Sequence, residues 1–191
     1  MNKKKILVII DPQVDFINGI LGTPEAEKAT EKMVELLENE ADEYDAIVVT
    51  QDGHYEETYF QTREGRNLPI FHCPVGEKGW FIDKRIADIV FKHKKYTILR
   101  KENFGYNNWK EVITIIGNLP ISSKGEELVI KFIGLVPNMC VIVNALDMQT
   151  IFPEAEIIVD ASCCAGTTPE AHKAALMTMK SCQMNIINED V

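Results

Sequence analysis

ILVIID, residues Ile6–Asp11, is the stretch on which the fold turns. Five aliphatic residues run without interruption and stop at a carboxylate. A run so short and so apolar has no polar face to turn to water. It reads as a strand buried on both sides, the kind found in parallel sheets covered by helices. Similar runs follow at Ala46–Thr50, Tyr96–Arg100, Leu128–Ile133 (closed by Gly134), Glu156–Val159 and Met184–Ile187.

Between these runs the pattern turns helical. Thr23-Pro24 carries an N-cap and a proline at the first helical position. Ala26, Ala29, Met33, Leu36, Leu37 and Ala41 then form an apolar stripe. Thr168-Pro169 repeats the signature ahead of Ala171, Ala174, Ala175 and Thr178. Helical spacing also marks Phe81–Phe91, Trp109–Ile116 and Cys140–Thr150. Residues 51–80 are irregular, polar and aromatic, with a short strand expected at Ile70–Phe71. A connection that long in a compact domain is usually functional. The expectation is an α/β fold of three α-β-α layers around a mostly parallel six-stranded sheet, in a single domain spanning residues 1–191.

Composition bounds the function. The 191 residues hold 20 basic and 29 acidic side chains, a net charge of −9. A basic footprint for nucleic acid is absent, and an anionic membrane surface would repel the chain. No apolar run approaches the roughly 18 residues that span a bilayer. MNKKK before Ile6 mimics the start of a signal peptide, but the apolar run ends too soon at Asp11. A cytoplasmic protein is expected. The five cysteines (Cys73, Cys140, Cys163, Cys164, Cys182) include no CxxC pair and read as free thiols.

In open α/β sheets ligands bind beyond the carboxyl ends of the strands. Asp11 follows the first strand. Asp52 and His54 follow the second, Lys101 the third, and Gly134 and then Cys140 the fourth. A thiol at a helix N-terminus beside a lysine should have a lowered pKa, and a nearby aspartate can take its proton. Each residue alone has a plainer reading: Cys140 as a small buried hydrophobe, Asp11 as a strand-end cap, Lys101 as a solvated charge. Asp52-x-His54 with a distant His72 offers one carboxylate and two imidazoles, a set suited to zinc, iron or manganese. The histidines could equally hydrogen-bond the loop. His93, in a lysine-rich turn, is expected in solvent, and His172 in a structural role. Cys163-Cys164 is expected to pack rather than pair. Glu35–Asp45 reads as the solvent face of a helix.

These residues resemble a known family, the isochorismatase-like cysteine hydrolases, which include the nicotinamidases. ILVIIDPQVDF at Ile6–Phe16 resembles its opening motif, and GLVPNMCVIVNALD at Gly134–Asp147 its nucleophile loop and helix. TQDGH at Thr50–His54 and HC at His72–Cys73 resemble nicotinamidase metal segments. DASCCAGTTPEAHKAAL at Asp160–Leu176 resembles the closing strand and helix.

The resemblance implies Asp11 as acid/base, Lys101 as the family lysine and Cys140 as nucleophile. It implies a cis peptide between Leu135 and Val136, an oxyanion hole from the N–H groups of Val136 and Cys140, and substrate contacts from Phe16 and Leu135. Pro137 departs from the commoner Thr or Ser. Asp52, His54 and His72 match metal ligands that hold the pyridine nitrogen of the substrate. Gly53 replaces the usual Trp, and Thr58 a further His. The implied function is hydrolysis of a small carboxamide through a thioester, nicotinamide being the best single guess, by a homo-oligomer. The alternatives are a metal-free amide or carbamoyl hydrolase and, in another class, a non-catalytic or redox-sensing thiol protein. True isochorismatases lack the cysteine.

Overall fold

The computed structural model describes residues 3–120 and 122–189. Its strands are β1 (Lys4–Ile10), β2 (Ala46–Asp52), β3 (Tyr96–Lys101), β4 (Leu128–Leu135), β5 (Glu156–Ala165) and β6 (Asn185–Ile187). Its helices are α1 (Val14–Ile17), α2 (Pro24–Glu40), α3 (Glu56–Tyr59), α4 (Arg63–Asn67), α5 (Lys84–Val90), α6 (Trp109–Gly117), α7 (Ile142–Ile151) and α8 (Pro169–Ser181). The strands form one sheet in the order β3-β2-β1-β4-β5-β6, every pair parallel.

Alternation along β1 assigns the two faces. Ile6, Val8 and Ile10 pack with Trp109, Ile113, Val141, Ala145, Met148 and Leu176, the core under α6, α7 and α8. Leu7 and Ile9 pack with Ala26, Ala29, Met33, Leu37, Ile86 and Val90, the core under α2 and α5. Ile6 through Ile10 are fully buried, as expected for a strand with helices on both sides. Thr23 and Thr168 cap α2 and α8 by accepting from the N–H groups of Ala26 and Ala171. Among the described residues no helix is long and apolar enough to cross a membrane.

The chain turns outward in opposite directions from β1 and β4, which lie side by side. This is the topological switch point, where ligands bind in such sheets. Gly134 in β4 has φ +129°, and a Cβ there would stand 2.2 Å from the Ile10 carbonyl oxygen. Only a residue without a side chain lets the two strand ends approach so closely.

Three expectations need correction. Ile70–Phe71 is not a strand; in the described part of the loop, pairing is limited to an isolated bridge between His54 and Pro74. The helix expected from Phe81 begins at Lys84, because Asp83 caps it from the Arg85 N–H at 2.9 Å. Phe81 and Ile82 instead pair back onto the α1 segment: the Val14 N–H donates to the Phe81 carbonyl, and Gln13 bridges Ile82. His93 is buried, its ring nitrogens 2.8 Å from the Lys95 carbonyl and 3.2 Å from that of Tyr44. The turn folds onto the start of β2 instead of reaching for solvent.

Candidate active site

Asp11 leaves β1 with φ +47°, a left-handed conformation uncommon for a residue with a side chain. That turn buries its carboxylate completely. Thr50 donates its hydroxyl to Asp11 Oδ1 at 2.6 Å and accepts the Asp11 N–H at 3.1 Å. Lys101 is the last residue of β3. Its Nζ lies 2.7 Å from Asp11 Oδ2, 3.4 Å from Asp52 Oδ1 and 3.7 Å from Cys140 Sγ. The neighbouring Arg100 points the other way, its guanidinium 4.8 Å above the Trp80 ring.

Cys140 sits in a π-helical turn, Pro137–Val141, between β4 and α7. The Leu135–Val136 peptide before it is cis. The Val136 carbonyl accepts from Met139 at 3.1 Å and Val141 at 3.2 Å, residues on either side of Cys140. The Cys140 N–H is thereby passed over by the bond that an α-helix would draw to that carbonyl.

The electrostatics differ from the sequence expectation. Burial pushes the Cys140 thiol well up; Lys101 opposes this, while Asp11 and Asp52 add to it. The lowered pKa expected from a helix terminus and a lysine is therefore overturned. Burial and two carboxylates outweigh one ammonium. Burial also raises Asp11, against the pull of Lys101. Lys101 stays firmly charged: burial disfavours its ammonium, but Asp11, Cys140 and Asp52 hold it. Burial thus favours the neutral forms of both the thiol and the Asp11 carboxyl, and Lys101 opposes it at each.

Asp52 ends β2 and faces two ways. Its Oδ1 is turned to Lys101 and its Oδ2 to a second cluster. His54 Nε2 lies 3.0 Å from Oδ2 and His72 Nε2 3.5 Å from it. Glu64 Oε1 lies 4.0 and 3.7 Å from the same two nitrogens. One donor atom from each of Asp52, His54, Glu64 and His72 falls within 4.8 Å of all the others. His72 Nδ1 is 2.9 Å from the Ile70 carbonyl, which can only accept, so this nitrogen carries the proton. Nε2 faces the carboxylates of Asp52 and Glu64. Burial lowers the pKa of the ring, but the bonds to Asp52 and the Ile70 carbonyl and the charge of Glu64 prevail and raise it. A proton on Nε2 answers these carboxylates, and a ring without that proton offers Nε2 as a ligand to a cation. Two imidazoles and two carboxylates suit zinc, iron or manganese.

Glu64 was not foreseen. It lies on α4 in the irregular loop, without a periodic pattern, and no neighbouring motif marks it. Thr58 is exposed and outside the cluster. Two more residues of the opening motif position the site. Gln13 donates to the carbonyls of Asp52 and Trp80, each at 2.8 Å, and accepts the Asp52 N–H at 2.7 Å. Asp15 accepts the N–H of Cys73 at 2.7 Å, fixing the chain just after His72.

A cavity of about 260 Å³ joins the two clusters. Cys140, Leu135 and Val136 line one end and Asp52, Glu64 and His72 the other, with Phe16, Leu68, Phe104 and Met139 as apolar walls. Phe16 sits edge-on to His72 at 5.5 Å between ring centroids. Cys163 and Cys164 are free thiols buried in β5, and neither lines the cavity.

The isochorismatase domain model matches residues 5–190. The chain belongs to the isochorismatase family. Solved structures similar to it include the nicotinamidase of Bacillus subtilis, at 21% identity over 96% of this chain and 98% of that one, with a TM-score of 0.77. A pyrazinamidase of Pyrococcus horikoshii in complex with zinc is similar at 23% identity, 96% and 98% coverage and a TM-score of 0.76. The N-carbamoylsarcosine amidase of Thermoplasma acidophilum follows at 22% identity, 98% of both chains and a TM-score of 0.74. No curated protein matches in sequence. At these identities the structural likeness shows the fold, and the family model shows the family.

Proposed function

We propose that this isochorismatase-family hydrolase cleaves a small, uncharged carboxamide through a thioester on Cys140, with nicotinamide as the best single substrate. The observation that carries this is one cavity with a thiol at one end and a cation-seeking cluster at the other. A flat ring carboxamide fits between the apolar walls, its amide at Cys140 and a ring nitrogen toward Asp52, His54, Glu64 and His72. Phe16 and Leu135 contact the ring.

Asp11 takes the thiol proton, and Cys140 Sγ attacks the amide carbon. The N–H groups of Val136 and Cys140 hold the oxyanion, each donor contributing about 3–4 kcal/mol. Asp11 returns the proton to the leaving ammonia. Water, deprotonated by Asp11, then cleaves the thioester and releases the acid. The raised pKa of buried Asp11 makes its carboxylate a stronger base than a solvated one. Lys101 keeps the Asp11 carboxylate in place and offsets the charge formed on sulfur. A divalent transition metal held by Asp52, His54, Glu64 and His72 would supply a Lewis-acidic anchor for the ring nitrogen.

The test is ammonia release from a panel of amides, with and without a chelator. Release from pyridine carboxamides that falls on chelation supports the reading. Release indifferent to chelation moves the protein to the metal-free amide and carbamoyl hydrolases. No release from any amide leaves the thiol-protein alternative.

A further inference from the structure

Asn144 lies on α7 and is fully buried. A side-chain amide can donate two hydrogen bonds and accept two. Asn144 makes all of these. Nδ2 donates to the Cys140 carbonyl at 2.7 Å and to the Phe104 carbonyl at 2.9 Å. Oδ1 accepts from the Tyr106 N–H and from Trp109 Nε1, each at 2.8 Å. Two carbonyls on one side and two N–H groups on the other fix the orientation of the amide.

Those partners belong to two segments of the site. Phe104, Tyr106 and Trp109 belong to the chain that leaves β3 directly after Lys101, and Phe104 is a wall of the cavity. Cys140 is on the turn after β4. In the sheet β2 and β1 separate β3 from β4. At about 4.8 Å per strand the two tips are roughly 14 Å apart. The sheet alone does not set how Lys101 Nζ meets Cys140 Sγ. The segment after β3 has to cross the intervening strand ends and be held against α7. Gly105 permits that approach: a Cβ there would stand 2.9 Å from Val143 Cγ1 and 3.1 Å from Asp147 Oδ2, both on α7.

We infer that Asn144 is a positioning residue, a four-bond clasp that sets the Lys101–Cys140 contact and the Phe104 wall. The inference rests on Cys140 as the reactive group, and its test does not require the substrate to be known. Asn144→Thr retains a hydroxyl that can bond the Cys140 carbonyl one turn back, but it releases the crossing segment. Trp109→Phe removes the Nε1 donor and keeps an aromatic ring, smaller by the pyrrole part of the indole. Asn144→Ala strands every partner and is the variant most at risk of not folding, so the other two carry the test. Ile116→Val, a small change elsewhere in the same core, serves as the control.

Iodoacetamide labelling at pH 8, followed by mass spectrometry, reads the thiol directly. Asn144→Thr should slow labelling of Cys140 by about tenfold, because the ammonium that favours the thiolate is displaced. Trp109→Phe should slow it less. Cys164 should stay unlabelled in both, and the control should behave as wild type. Cys140 labelling that is unchanged or faster in folded Asn144→Thr overturns the inference. So does an equal slowing in Ile116→Val. Where an amide is hydrolysed, kcat should fall in the same order as labelling, with Asn144→Thr raising KM as the Phe104 wall loosens. Failure of wild type to hydrolyse any amide would sink the proposed activity without touching the labelling result.

Discussion

Cys140 lines the cavity, and behind it Asp11 and Lys101 complete a cluster carried by strand ends or by the turn just after one. His54, Glu64 and His72 ride instead on the connection between β2 and α5. The first group stands at the ends of paired strands, with the Asn144 bonds tying the segment after Lys101 to the turn that carries Cys140. The second depends on a loop tied down by Gln13, Asp15 and its own aromatic side chains, with Tyr59 against both His54 and His72. On the proposed function, chemistry that requires fixed distances falls to the strand ends, and the groups that set what is bound fall to the loop, the part that varies most easily.

The largest expected difference between the two ends is in rate. Cys140→Ala should lower amide hydrolysis by about a thousandfold or more, since a lost nucleophile has no substitute. Its thermal midpoint should stay close to that of wild type. Ammonia release and a melting curve on the same sample measure both. Activity retained in a clean preparation removes Cys140 from its role.

Lys101→Met strikes the strand-end cluster differently. It leaves Asp11 and Asp52 as buried carboxylates without their ammonium, a loss of about 3–5 kcal/mol at neutral pH. Asp52 is held below the usual carboxylate range: burial would raise it, but Lys101, His54 and His72 prevail. Its stabilising contribution is therefore full above the unfolded pKa of about 3.9 and is lost as pH falls through the lower folded value. Protonation also relieves the variant. Urea unfolding from pH 7 down to pH 3 should show the gap between wild type and Lys101→Met narrowing as pH falls toward about 4, where the variant's unpaired carboxylates have taken up protons, and narrowing further below it as wild type begins to lose the Asp52 contribution. A gap that widens with acid contradicts the assignment.

At the loop end, elemental analysis should find one divalent transition metal per chain. His54→Ala and Glu64→Gln should each weaken its retention by about tenfold or more, leaving the thermal midpoint of the sheet nearly unchanged. Equal trace metal in wild type and His54→Ala would show that the cluster binds none. Smaller again is Thr50→Val, which removes one hydroxyl from Asp11 and should cost about 1–3 kcal/mol of stability. Asn138→Ala breaks an exposed pair of bonds to Thr167. It should change stability by about 0.5 kcal/mol or less.

The same contrast explains what could be read from sequence. Ile6–Ile10 and its companions are apolar and β-branched because both faces are covered, and such runs stand out. The order of the strand-end residues then placed Asp11, Lys101 and Cys140 together before any coordinates. Thr23-Pro24 and Thr168-Pro169 marked helix starts because their caps are local. Glu64 could not be found, since its place depends on where a loop folds. Asn144 looked like one more polar residue on a helix, because its partners come from a distant segment. Sequence alone points to a low pKa for Cys140, because a helix terminus and a lysine are visible in it, whereas the burial that prevails is not.

Lys4 pairs with Leu128 and Ile10 with Gly134, so β1 waits for a partner from the far half of the chain. The cavity lies on that seam. During synthesis Asp11 emerges well before Cys140. Asp11 and Cys140 therefore cannot come together until β4 has left the ribosome and slotted in beside β1. On the proposed mechanism the growing chain carries an acid without its thiol until then, and it acquires its chemistry late, together with the closing of its sheet.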